Sequence, residues 1–576
     1  MIHLARRDTL GILGGALAAP AILRSASSPV TVFEAARIVT MEPALPSARF
    51  VAVADGMILG VGERADDLAV WTQGREVRHD RRFAGTVLLP GLIDPHLHPM
   101  QAAVMLNLPF NAPDDWDLPQ GRFPGTRTPA AWRSRFAELL AQSAETPFIC
   151  WGWHELFHGP LDRAALDQLA ATRPAVVWQR SFHSIIANTA MLQAWGLDTP
   201  AAFAAALAAV KANPAHADLT TGTFSETALN VVLLKLRPVL MAPERMTRGM
   251  ARLRAMMLAR GVTTTSDMGT GIFAGFEAEA RLIGATFSTP DAAARVMLMP
   301  IAAQVPADAD AAQWLEGVRT RHAAPHVRVD RRVKMLADGA FFDQAMRMNA
   351  PGYSDGHRGK WLTEPEVLAA QFRRFWGAGF SLHIHVNGDE GLDAVLDGLG
   401  QLPPARAQTI TLEHLGYSTE AQNRRIAAMG LMVSAQPNYV RVLSDAYGRH
   451  GLGSDRAASI CRIGSLEAKG VPLGLHSDFN MAPVDPLYLA WIAANRITLE
   501  GHVMAPAEQL SLGKALRAIT VEAAQVIGMD AMVGSIAAGK RADFVALDRD
   551  PFAGGAAALD RLKVEGVVFE GRVTRG

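Results

Sequence analysis

Cysteine is nearly absent from this sequence, which has only Cys150 and Cys461 among 576 residues. Two thiols are too few for a disulfide framework or for a cysteine-rich zinc site. Charge of one sign is also lacking, because 56 Lys and Arg balance 56 Asp and Glu and no long run of either sign occurs. We therefore expect neither a nucleic-acid partner nor a polybasic membrane surface.

The composition excludes several other classes of protein. Charged residues make up 19% and hydrophobic residues 49%, with 50 Gly and 33 Pro, which excludes disordered, collagen-like and coiled-coil chains. At about 150 residues per domain the length would allow four domains, but α/β barrels exceed 200 residues as single domains. A large globular enzyme that acts on a small molecule fits this composition best.

Long hydrophobic runs are missing except near the N-terminus. There Arg6 and Arg7 precede an apolar stretch at 9–23, and small residues follow at 25–28. The stretch has about 15 residues, fewer than the ~20 of a membrane-spanning helix. The pattern predicts a twin-arginine signal peptide over 1–28, with the export machinery as a partner and a periplasmic or otherwise exported protein. An ordinary N-terminal helix and an uncleaved anchor are the alternatives.

The two ends of the mature chain have the same pattern of short strand-like runs separated by turns. Residues 29–88 alternate β-rich runs with turn signals such as Asp55-Gly56, and the C-terminal part of 511–576 does the same, with turns at Glu565-Gly566 and Glu570-Gly571. A last helix is expected at the start of 511–576. We predict that the two ends pair into one small β-sandwich beside a central domain.

The central region, 89–510, alternates strand-like and helix-like segments. Eight strand-like segments occur: VLLPGLIDPH, GVTTTSDMG, RVMLMPIAA, VDRRVKMLADG, FSLHIHVNGD, AQTITLEHLG, GLMVSAQPN and VPLGLHSDF. The pattern predicts an α/β fold, a (β/α)8 TIM-like barrel with its chemistry at the C-terminal ends of the strands. An insertion at about 108–260 is far longer than a normal connection, and we expect it to form a cap. A doubly wound sheet is the alternative, but no glycine-rich phosphate fingerprint supports it.

Several of these strands end in side chains that can bind metal. His96 and His98 are two apart at the end of the first strand, so both imidazoles point to one face and can reach one ion. Further candidates follow later strands, in Lys334, His383 and His385, Glu413-His414, and His476 with Asp478. Polar side chains at one end of a barrel predict a metal-dependent active site there.

Ordered motifs give the chain a family resemblance. They are PGLIDPHLH at 90–98, VKMLADGA at 333–340, HVNGD at 385–389, LEHLG at 412–416 and HSDFNMAP at 476–483. GSIAAGKRADFVALD at 534–548 resembles the return to the β-sandwich, and WGWHE, HSIIAN and GTFSET lie inside the insertion. The set resembles the amidohydrolase superfamily, in the branch typified by N-substituted formamide deformylase, over nearly the whole mature chain.

The resemblance implies a role for each motif residue. It implies a site for one or two divalent ions, zinc or a similar metal. The implied ligands are His96, His98, Lys334, His385, His414 and Asp478. Asp478 is also implied to be the catalytic acid and base. A lysine ammonium cannot bind metal, so Lys334 would be N-carboxylated to bridge two ions, as in binuclear members. From the residues alone, an ion pair between Lys334 and a nearby carboxylate, such as that of Asp338, is the alternative.

Three parts of the predicted site stay open at this point. His383 competes with His385 for the ligand role, and the resemblance favours His385, which leaves His383 and His476 as supporting, packing or substrate-contacting residues. After Gln436-Pro437 the branch tends to place a histidine, whereas this chain has Asn438-Tyr439. From the insertion we expect substrate contacts at four positions, with burial in the core as the alternative; they are Trp151, His154, His183 and Glu226.

The leading hypothesis is a metal-dependent hydrolase of a non-peptide C–N bond in a small molecule, such as an N-acyl, N-formyl or cyclic amide. An esterase, lactonase or deaminase could use the same site. A non-catalytic binding protein is a further alternative, and it would be expected to have lost at least one ligand. By resemblance, the chain is also expected to form a homo-oligomer.

Overall fold

A computed structural model describes residues 28–405 and 407–575. Its strands are β1 (Val30–Val39), β2 (Ser47–Ala54), β3 (Met57–Gly62), β4 (Val77–Asp80), β5 (Val87–Pro90), β6 (Leu92–Leu97), β7 (Trp116–Leu118), β8 (Gly121–Phe123), β9 (Phe148–Trp153), β10 (Ala175–Gln179), β11 (Ser184–Ala187), β12 (Ala217–Asp218), β13 (Thr223–Ser225), β14 (Val262–Thr270), β15 (Arg295–Pro300), β16 (Val327–Val329), β17 (Arg332–Leu336), β18 (Ser381–Val386), β19 (Ile410–His414), β20 (Met432–Ala435), β21 (Leu473–Leu475), β22 (Phe544–Leu547), β23 (Val564–Phe569) and β24 (Arg572–Arg575). Apart from Ser28, the expected signal peptide lies outside the described residues.

The α-helices of the same residues are α1 (Ala69–Thr72), α2 (Pro99–Met105), α3 (Pro129–Gln142), α4 (Glu155–His158), α5 (Arg163–Ala170), α6 (Thr189–Trp195), α7 (Pro200–Ala209), α8 (Leu229–Leu240), α9 (Pro243–Ala259), α10 (Phe276–Phe287), α11 (Ala311–His322), α12 (Pro365–Gly377), α13 (Asp389–Leu399), α14 (Glu420–Ala428), α15 (Asn438–His450), α16 (Ser454–Ala458), α17 (Ile463–Glu467), α18 (Pro486–Asn495), α19 (Leu512–Arg517), α20 (Val521–Val526) and α21 (Pro551–Gly554). Within the described ranges, no helix has the length and apolar character needed to cross a membrane.

The ends of the chain meet in one eight-stranded mixed sheet, in the order β24-β23-β22-β5-β1-β2-β3 with β4 beside β1. The contact between them is antiparallel, with Val545 of β22 opposite Leu89 of β5. Phe33 and Phe544 pack edge to face at 6.0 Å in the apolar cluster on this sheet. The two terminal segments therefore pair as expected, and their arrangement as a sandwich stays a prediction.

The eight central strands expected from sequence are present as parallel strands in two sheets. One sheet has the order β16-β15-β14-β6 and the other β17-β18-β19-β20-β21. The fourth expected segment is divided, because β16 extends the first sheet and β17 begins the second. In the described part of the chain, ladder hydrogen bonds form these two sheets and not one continuous barrel. The fold is α/β, and the C-terminal ends of each sheet's parallel strands lie at one edge of that sheet.

The long insertion has a sheet of its own. β6 pairs directly with β14, so the chain between 98 and 261 leaves the parallel sheet and returns to its neighbouring strand. This segment contains the five-stranded sheet β12-β13-β11-β10-β9 and helices α3 to α9. Gly249 of α9 lies against the Ala103 backbone of α2, where a Cβ atom would overlap it. The close approach of these two helices fixes the return of the insertion beside the first strand.

Local sequence signals explain where several helices begin. The Thr128 side chain accepts a hydrogen bond from the Ala131 amide and is followed by a proline, which favours the first turn of α3. Thr419 and Gln422 form a capping box at the start of α14. Asp485 caps α18 in the same way as Thr128 caps α3. These side chains satisfy amide groups that would otherwise lack partners at the helix ends.

Candidate active site

One cavity of about 310 Å³ collects the predicted metal-binding side chains at the strand ends. His96 lies on β6 and His98 directly after it, while Lys334 lies on β17. The cavity also takes a side chain from β18, from the end of β19 and from the loop after β21; these are His385, His414 and Asp478. The structure thus brings all six predicted residues together, at the ends of strands from both parallel sheets.

Two overlapping groups of potential ligands share His96: one is His96, His98 and Asp478, which all line this cavity, and the other is His96, His414 and His476. In each group one ligand atom per residue lies within 4.8 Å of the others. The Asp478 Oδ1 atom is 3.3 Å from His98 Nε2 and 3.6 Å from His96 Nε2. The backbone keeps this geometry in place, because the Asp478 amide donates to the His96 carbonyl at 2.9 Å. Two imidazoles and a carboxylate are therefore held around one point in space.

His414 and His385 complete the other side of the group. His414 Nδ1 lies 3.7 Å from Asp478 Oδ2, and the rings of His414 and His385 are 4.5 Å apart at their centroids. His414 and Asp478 both have left-handed backbone conformations, with φ of 73° and 48°. Such conformations cost roughly 1–3 kcal/mol and persist where the surrounding structure fixes them.

Lys334 does not form the ion pair with Asp338 that the residues alone allowed. The Asp338 carboxylate accepts backbone hydrogen bonds from Arg347, Asn387 and Gly388, each at 2.8 Å. The Lys334 Nζ atom is buried and has no hydrogen-bond partner among the described residues. Burial lowers the pKa of Lys334 to about 8, partly offset by the charges of Glu413 and Asp478. Lys334 is thus a buried amine that releases its proton at lower pH than an exposed lysine does, and it faces the other ligands.

Glu413 sets the orientation of His96 through a buried chain of hydrogen bonds. The Arg332 guanidinium can only donate, so His383 Nε2, at 3.1 Å, must accept. His383 Nδ1 then carries the proton and donates to Glu413 Oε1 at 2.7 Å. The second oxygen of Glu413 accepts from His96 Nδ1 at 2.8 Å. This leaves the lone pair of His96 Nε2 directed at the cavity, which is the tautomer that a metal ligand needs.

This chain of hydrogen bonds resolves the choice between the two β18 histidines. His385 lines the cavity, while His383 lies behind it and supports His96 through Glu413. His476 has a similar supporting position, because its Nδ1 lies 2.7 Å from Ser434 Oγ and its Nε2 lies 3.2 Å from His414 Nδ1. Both histidines therefore contact members of the cluster from outside the cavity.

A second carboxylate stands behind His98. Asp267, near the end of β14, has its Oδ1 atom 3.8 Å from His98 Nδ1 and is fixed by a hydrogen bond of 2.8 Å from Thr270. Burial lowers the pKa of His98, but Asp267 and Asp478 outweigh it and raise that pKa to about 9. Burial likewise raises the pKa of Asp478, but the hydrogen bond and charge of His98 outweigh it, so the carboxyl has a lowered pKa and stays ionised.

The other imidazoles of the group are neutral. Burial first, and then the charge of Lys334, hold the pKa of His96 well below its usual range and lower that of His385 to about 3. Burial and the nearby His385 do the same for His414. Neutral imidazoles are the form that binds metal, and His96 Nε2 is a buried atom without a partner in the described chain. An unpartnered buried polar atom costs about 1–3 kcal/mol, so this donor set fits a divalent cation.

Two of the four insertion residues predicted to contact substrate reach the cavity. His183 precedes β11 and Glu226 follows β13, and the antiparallel pairing of these strands puts the His183 Nδ1 and Glu226 Oε2 atoms 3.1 Å apart. Both side chains line the cavity. The apolar side chains around them, including Phe182, Leu229 and Leu233, come from the same insertion.

The expectation for Trp151 and His154 is not met, because neither lines this cavity. Trp151 lies on β9, at the edge of the inserted sheet, and packs in the core against Phe110 and Trp116 at ring distances of 4.5 and 5.6 Å. The His154 side chain is fully buried and accepts a hydrogen bond from the Leu156 amide, so it caps α4. The alternative of burial in the core is correct for both residues.

Arg180 joins the insertion to the loop that carries Asp478. Its guanidinium is fully buried and pairs with Asp114 at 3.1 Å. It also donates to the backbone carbonyls of Asn480 and Met481, each at 2.9 Å, and lies over the Trp151 ring at 4.7 Å. These bonds fix the turn two residues after Asp478, so Arg180 supports the position of that carboxylate.

The sequence alone assigned no role to Asp267 or Arg180, and it offered Glu413 only as a possible strand-end ligand. Two of them had a usable signal, because Asp267 ends the second expected strand and Glu413 directly precedes His414. Tyr439, in the segment that departs from the family pattern, stacks on Phe341 at 4.1 Å and lines the cavity. Arg180 has no such signal, since its partners lie far from it in the chain.

Buried imidazoles, an ionised aspartate and a buried lysine at strand ends define a hydrolase site suited to a divalent metal ion. The chain belongs to the amidohydrolase family, whose sequence model matches residues 84–575. The chain is 25% identical over 540 residues to the protein YtcJ of Bacillus subtilis, whose name describes it as an amidohydrolase. The match covers 91% of this chain and 95% of YtcJ.

Two further similarities are informative. A segment of 188 residues is 30% identical to N-substituted formamide deformylase of Arthrobacter pascens, covering 32% of this chain and 35% of that enzyme. The fold is similar to that of a metal-dependent hydrolase from Pyrococcus horikoshii, with a TM-score of 0.67, 20% identity and coverage of 91% of this chain and 98% of that one.

Proposed function

We propose that this protein is a metal-dependent hydrolase that cleaves a non-peptide C–N bond of a small molecule, such as an N-acyl, N-formyl or cyclic amide. The observation that carries the proposal is the convergence of four imidazoles, Lys334 and Asp478 on one cavity. The ligand set is complete, which argues against a non-catalytic binding protein.

The residues divide the chemistry between them. A bound divalent ion, zinc or a similar metal, would lower the pKa of water from 15.7 toward 7 and polarise the substrate carbonyl. Asp478, ionised and 3.3 Å from His98, accepts the proton of the attacking water. The protonated Asp478 then donates to the leaving amine, which departs neutral. Glu413 keeps His96 in its binding tautomer throughout, and the side chains of the insertion limit the access of bulk water.

We further propose that Lys334 is N-carboxylated, a form in which it would serve as a ligand in a site for two ions. Its amine must be neutral to react with carbon dioxide, and its lowered pKa of about 8 favours that form. The absence of an acidic partner within hydrogen-bond distance, among the described residues, leaves Nζ free to react. A singly bound ion with an unmodified Lys334 is the alternative state of the same site.

The finer architecture is part of the proposal. We propose that the two parallel sheets are arcs of one (β/α)8 barrel and that the insertion caps it. Two backbone contacts between the segments of the two sheets support this arrangement. A parallel bridge joins Ile301 to Lys334, and the Asp478 amide donates a hydrogen bond to the His96 carbonyl. The lining from His183, Glu226 and α8 supports the capping role.

Metal stoichiometry of the purified protein tests the site directly. The wild type, Lys334→Ala and the surface control Lys563→Ala are expressed with bicarbonate, and their metal content is measured by mass spectrometry. Two ions per chain in the wild type and the control, falling to one or none in Lys334→Ala, are expected. One ion in all three would contradict the carbamate, and no ion in any would contradict the hydrolase.

A substrate panel tests the bond that is cleaved. N-formyl and N-acyl amines and cyclic amides are compared with esters, lactones and aminated rings, with product release followed by chromatography. Hydrolysis of amides in preference to the others is expected. Preference for esters, lactones or amino groups would replace the amide assignment with an esterase, lactonase or deaminase on the same residues.

We also propose export by the twin-arginine route, for which Arg6 and Arg7 directly before the apolar stretch are the support. The full chain and its Arg6→Lys/Arg7→Lys variant would be expressed in a bacterium with this pathway and the cell compartments separated. The wild type is expected in the periplasm and the variant in the cytoplasm. Equal distribution of the two proteins would overturn the proposal.

A further inference from the structure

A second cavity of about 310 Å³ adjoins the active-site cavity. The two cavities share four lining side chains, namely Trp178, Leu233, Ile272 and Phe273. We call the second cavity the apolar annex; it is formed by Leu233, Leu234 and Leu240 of α8 with Val210, Ile272 and Phe273. The annex holds none of the predicted ligands, so it is separate from the chemistry described above.

Helix α8 runs along both cavities. Leu229 and Leu233 line the active-site cavity, whereas Leu233, Leu234 and Arg237 line the annex. Residues three and four apart share a helix face, so one face of α8 continues from the first cavity into the second. Leu229 and Arg237 are about 12 Å apart along the helix axis, at 1.5 Å per residue. Arg237 interrupts the apolar lining, which continues to Leu240 and Met241; its side chain is exposed and has no ion-pair partner among the described residues.

The annex leaves large apolar side chains uncovered. Leu234 is 58% exposed and Ile272 is 49% exposed, and both line this one cavity. Single exposed apolar residues are ordinary, but two that face one apolar cavity beside an active site indicate a surface covered by a ligand. The position of these side chains next to the reacting groups limits the ligand to something that extends from that site.

The segment that presents Ile272 and Phe273 is held firmly. The buried carboxylate of Glu279 accepts hydrogen bonds from the amides of Gly271, Phe273 and Ala274, at 2.6 to 2.7 Å. Gln304 donates to the Gly271 carbonyl at 3.1 Å. The apolar side chains therefore stand on a loop fixed by four hydrogen bonds, which is what a preorganised binding surface requires.

We propose that the apolar annex binds an extended hydrocarbon arm of the substrate, an alkyl or aryl-alkyl chain whose amide lies beside Asp478. The arm crosses Leu233 and Phe273 and covers Leu234 and Ile272. This inference rests on the proposed function for the position of the amide. The hydrocarbon arm can belong to the acyl half or to the amine half of the amide, and the two sources are separated by the substrates of the test.

The kinetic test uses paired substrates of different arm length on the metal-loaded protein. N-octylformamide and N-ethylformamide place the arm on the amine, and N-methyloctanamide and N-methylacetamide place it on the acyl group. In at least one pair, kcat/KM is expected to be higher for the octyl or octanoyl member. Equal kcat/KM within both pairs would overturn the proposal and leave the hydrolase assignment intact.

Two variants locate the effect. Leu234→Gln introduces a polar group at a half-exposed helix position, and the long-to-short ratio of kcat/KM is expected to fall about fivefold to tenfold. Val210→Trp fills the annex and is expected to lower the same ratio by at least about tenfold. Val367→Gln is the matched control, because Val367 is 52% exposed on α12, away from both cavities. A ratio that falls equally in the control, or stays constant in both annex variants, contradicts the proposal.

A binding measurement keeps this inference separate from catalysis. Protein stripped of metal by a chelator is titrated with N-octylformamide and with N-ethylformamide in a calorimeter at several temperatures. Only the octyl compound is expected to bind with a clearly negative heat-capacity change, which Leu234→Gln reduces. If N-octylformamide binds to the stripped protein but the metal-loaded protein hydrolyses no amide, the proposed function is refuted and the annex is retained. If binding to the stripped protein does not depend on the length of the hydrocarbon arm, the annex proposal itself is refuted.

Discussion

The active-site cavity is bounded by two regions with opposite character. The strand ends supply buried polar groups that contact one another, as in the chain from Arg332 through His383 and Glu413 to His96. The insertion supplies mainly apolar side chains, with the His183–Glu226 pair as its polar contribution. The strand ends are thus built for one kind of chemistry, whereas the insertion has the features that distinguish one substrate from another.

The two regions also differ in how well they tolerate substitutions. A change at the strand ends removes a partner from a buried polar group, which costs more than an apolar contact. A change in the lining of the insertion alters shape and polarity while leaving the reacting groups in place. Within one family, we therefore expect the insertion to vary with substrate and the strand ends to stay the same.

The strongest test of the strand ends is Asp478→Asn. We expect kcat/KM to fall by about 10²–10⁴-fold, because the amide cannot accept and return the proton. The variant should remain folded at the assay temperature, although its thermal unfolding midpoint should fall, since Asn leaves the buried His98 without the charge of its carboxylate partner. Asp117→Asn, at an exposed position of β7, is the control. Full activity in Asp478→Asn would show that another group accepts the proton.

Asp114→Asn tests how strongly the ion pair within the insertion supports Arg180, the residue that contacts the Asp478 loop. The substitution leaves the guanidinium of Arg180 buried without its carboxylate, and we expect a loss of about 3 kcal/mol in the free energy of unfolding, measured by urea denaturation. Arg180→Met in the same background should recover part of that loss, because the unpaired charge is gone. Additive effects of the two substitutions would indicate that Asp114 does not stabilise the Arg180 guanidinium that contacts the Asp478 loop.

Glu413→Gln separates binding of the metal from proton transfer. A glutamine has one acceptor oxygen and cannot accept from both His96 and His383, so His96 loses its fixed tautomer in part of the molecules. We expect the affinity for zinc to fall about 10–100-fold in competition with a chelator. Glu366→Gln on α12 serves as the control. Unchanged affinity would mean that His96 keeps its orientation without Glu413.

The smallest expected effect concerns the His183–Glu226 pair, through pH. Burial opposes both charges, but each partner outweighs it, so the pKa of His183 is raised above 6.5 and that of Glu226 is lowered below 4.5. The stabilising contribution of Glu226 is present above pH 4.5 and is lost as the pH falls through its lowered pKa. The histidine's contribution is present below 6.5 and is lost as pH rises through its raised pKa.

The pair therefore contributes most between these two limits. We expect Glu226→Gln to reduce the free energy of unfolding by about 0.5–1 kcal/mol in that range, with the difference from the wild type shrinking at both extremes. Urea denaturation across pH gives this difference directly. A difference independent of pH would show that the pair is not ionised in the folded protein.

Sequence reasoning succeeded where a residue type has one main use. A His-x-His at a strand end, a lysine on a later strand and an Asp after the last strand are each ambiguous alone, but their order along the chain predicted one site, and the structure puts His96, His98, Lys334 and Asp478 around one cavity. The eight strands were also predictable, because each is a short apolar run bounded by turn residues.

It failed where one residue type serves two purposes. Trp151 and His154 have the composition of a binding site, but tryptophan is just as common in cores, and only the packing of the folded chain, which buries both side chains completely, decides between the two uses. Arg180 shows the reverse case, because an arginine in a strand-rich segment resembles a surface residue until its partners, hundreds of residues later, are known. Pairing over such distances is set by the fold and leaves no local pattern.

The hydrogen bond between the Asp478 amide and the His96 carbonyl joins two segments separated by most of the chain. A growing polypeptide cannot make this bond until nearly all of it has left the ribosome. His96 and His98 are therefore without their carboxylate neighbour, Asp478, during most of synthesis. If the site holds a divalent ion as proposed, a truncated product that lacks the Asp478 segment would lack one of its ligands and compete poorly for the ion.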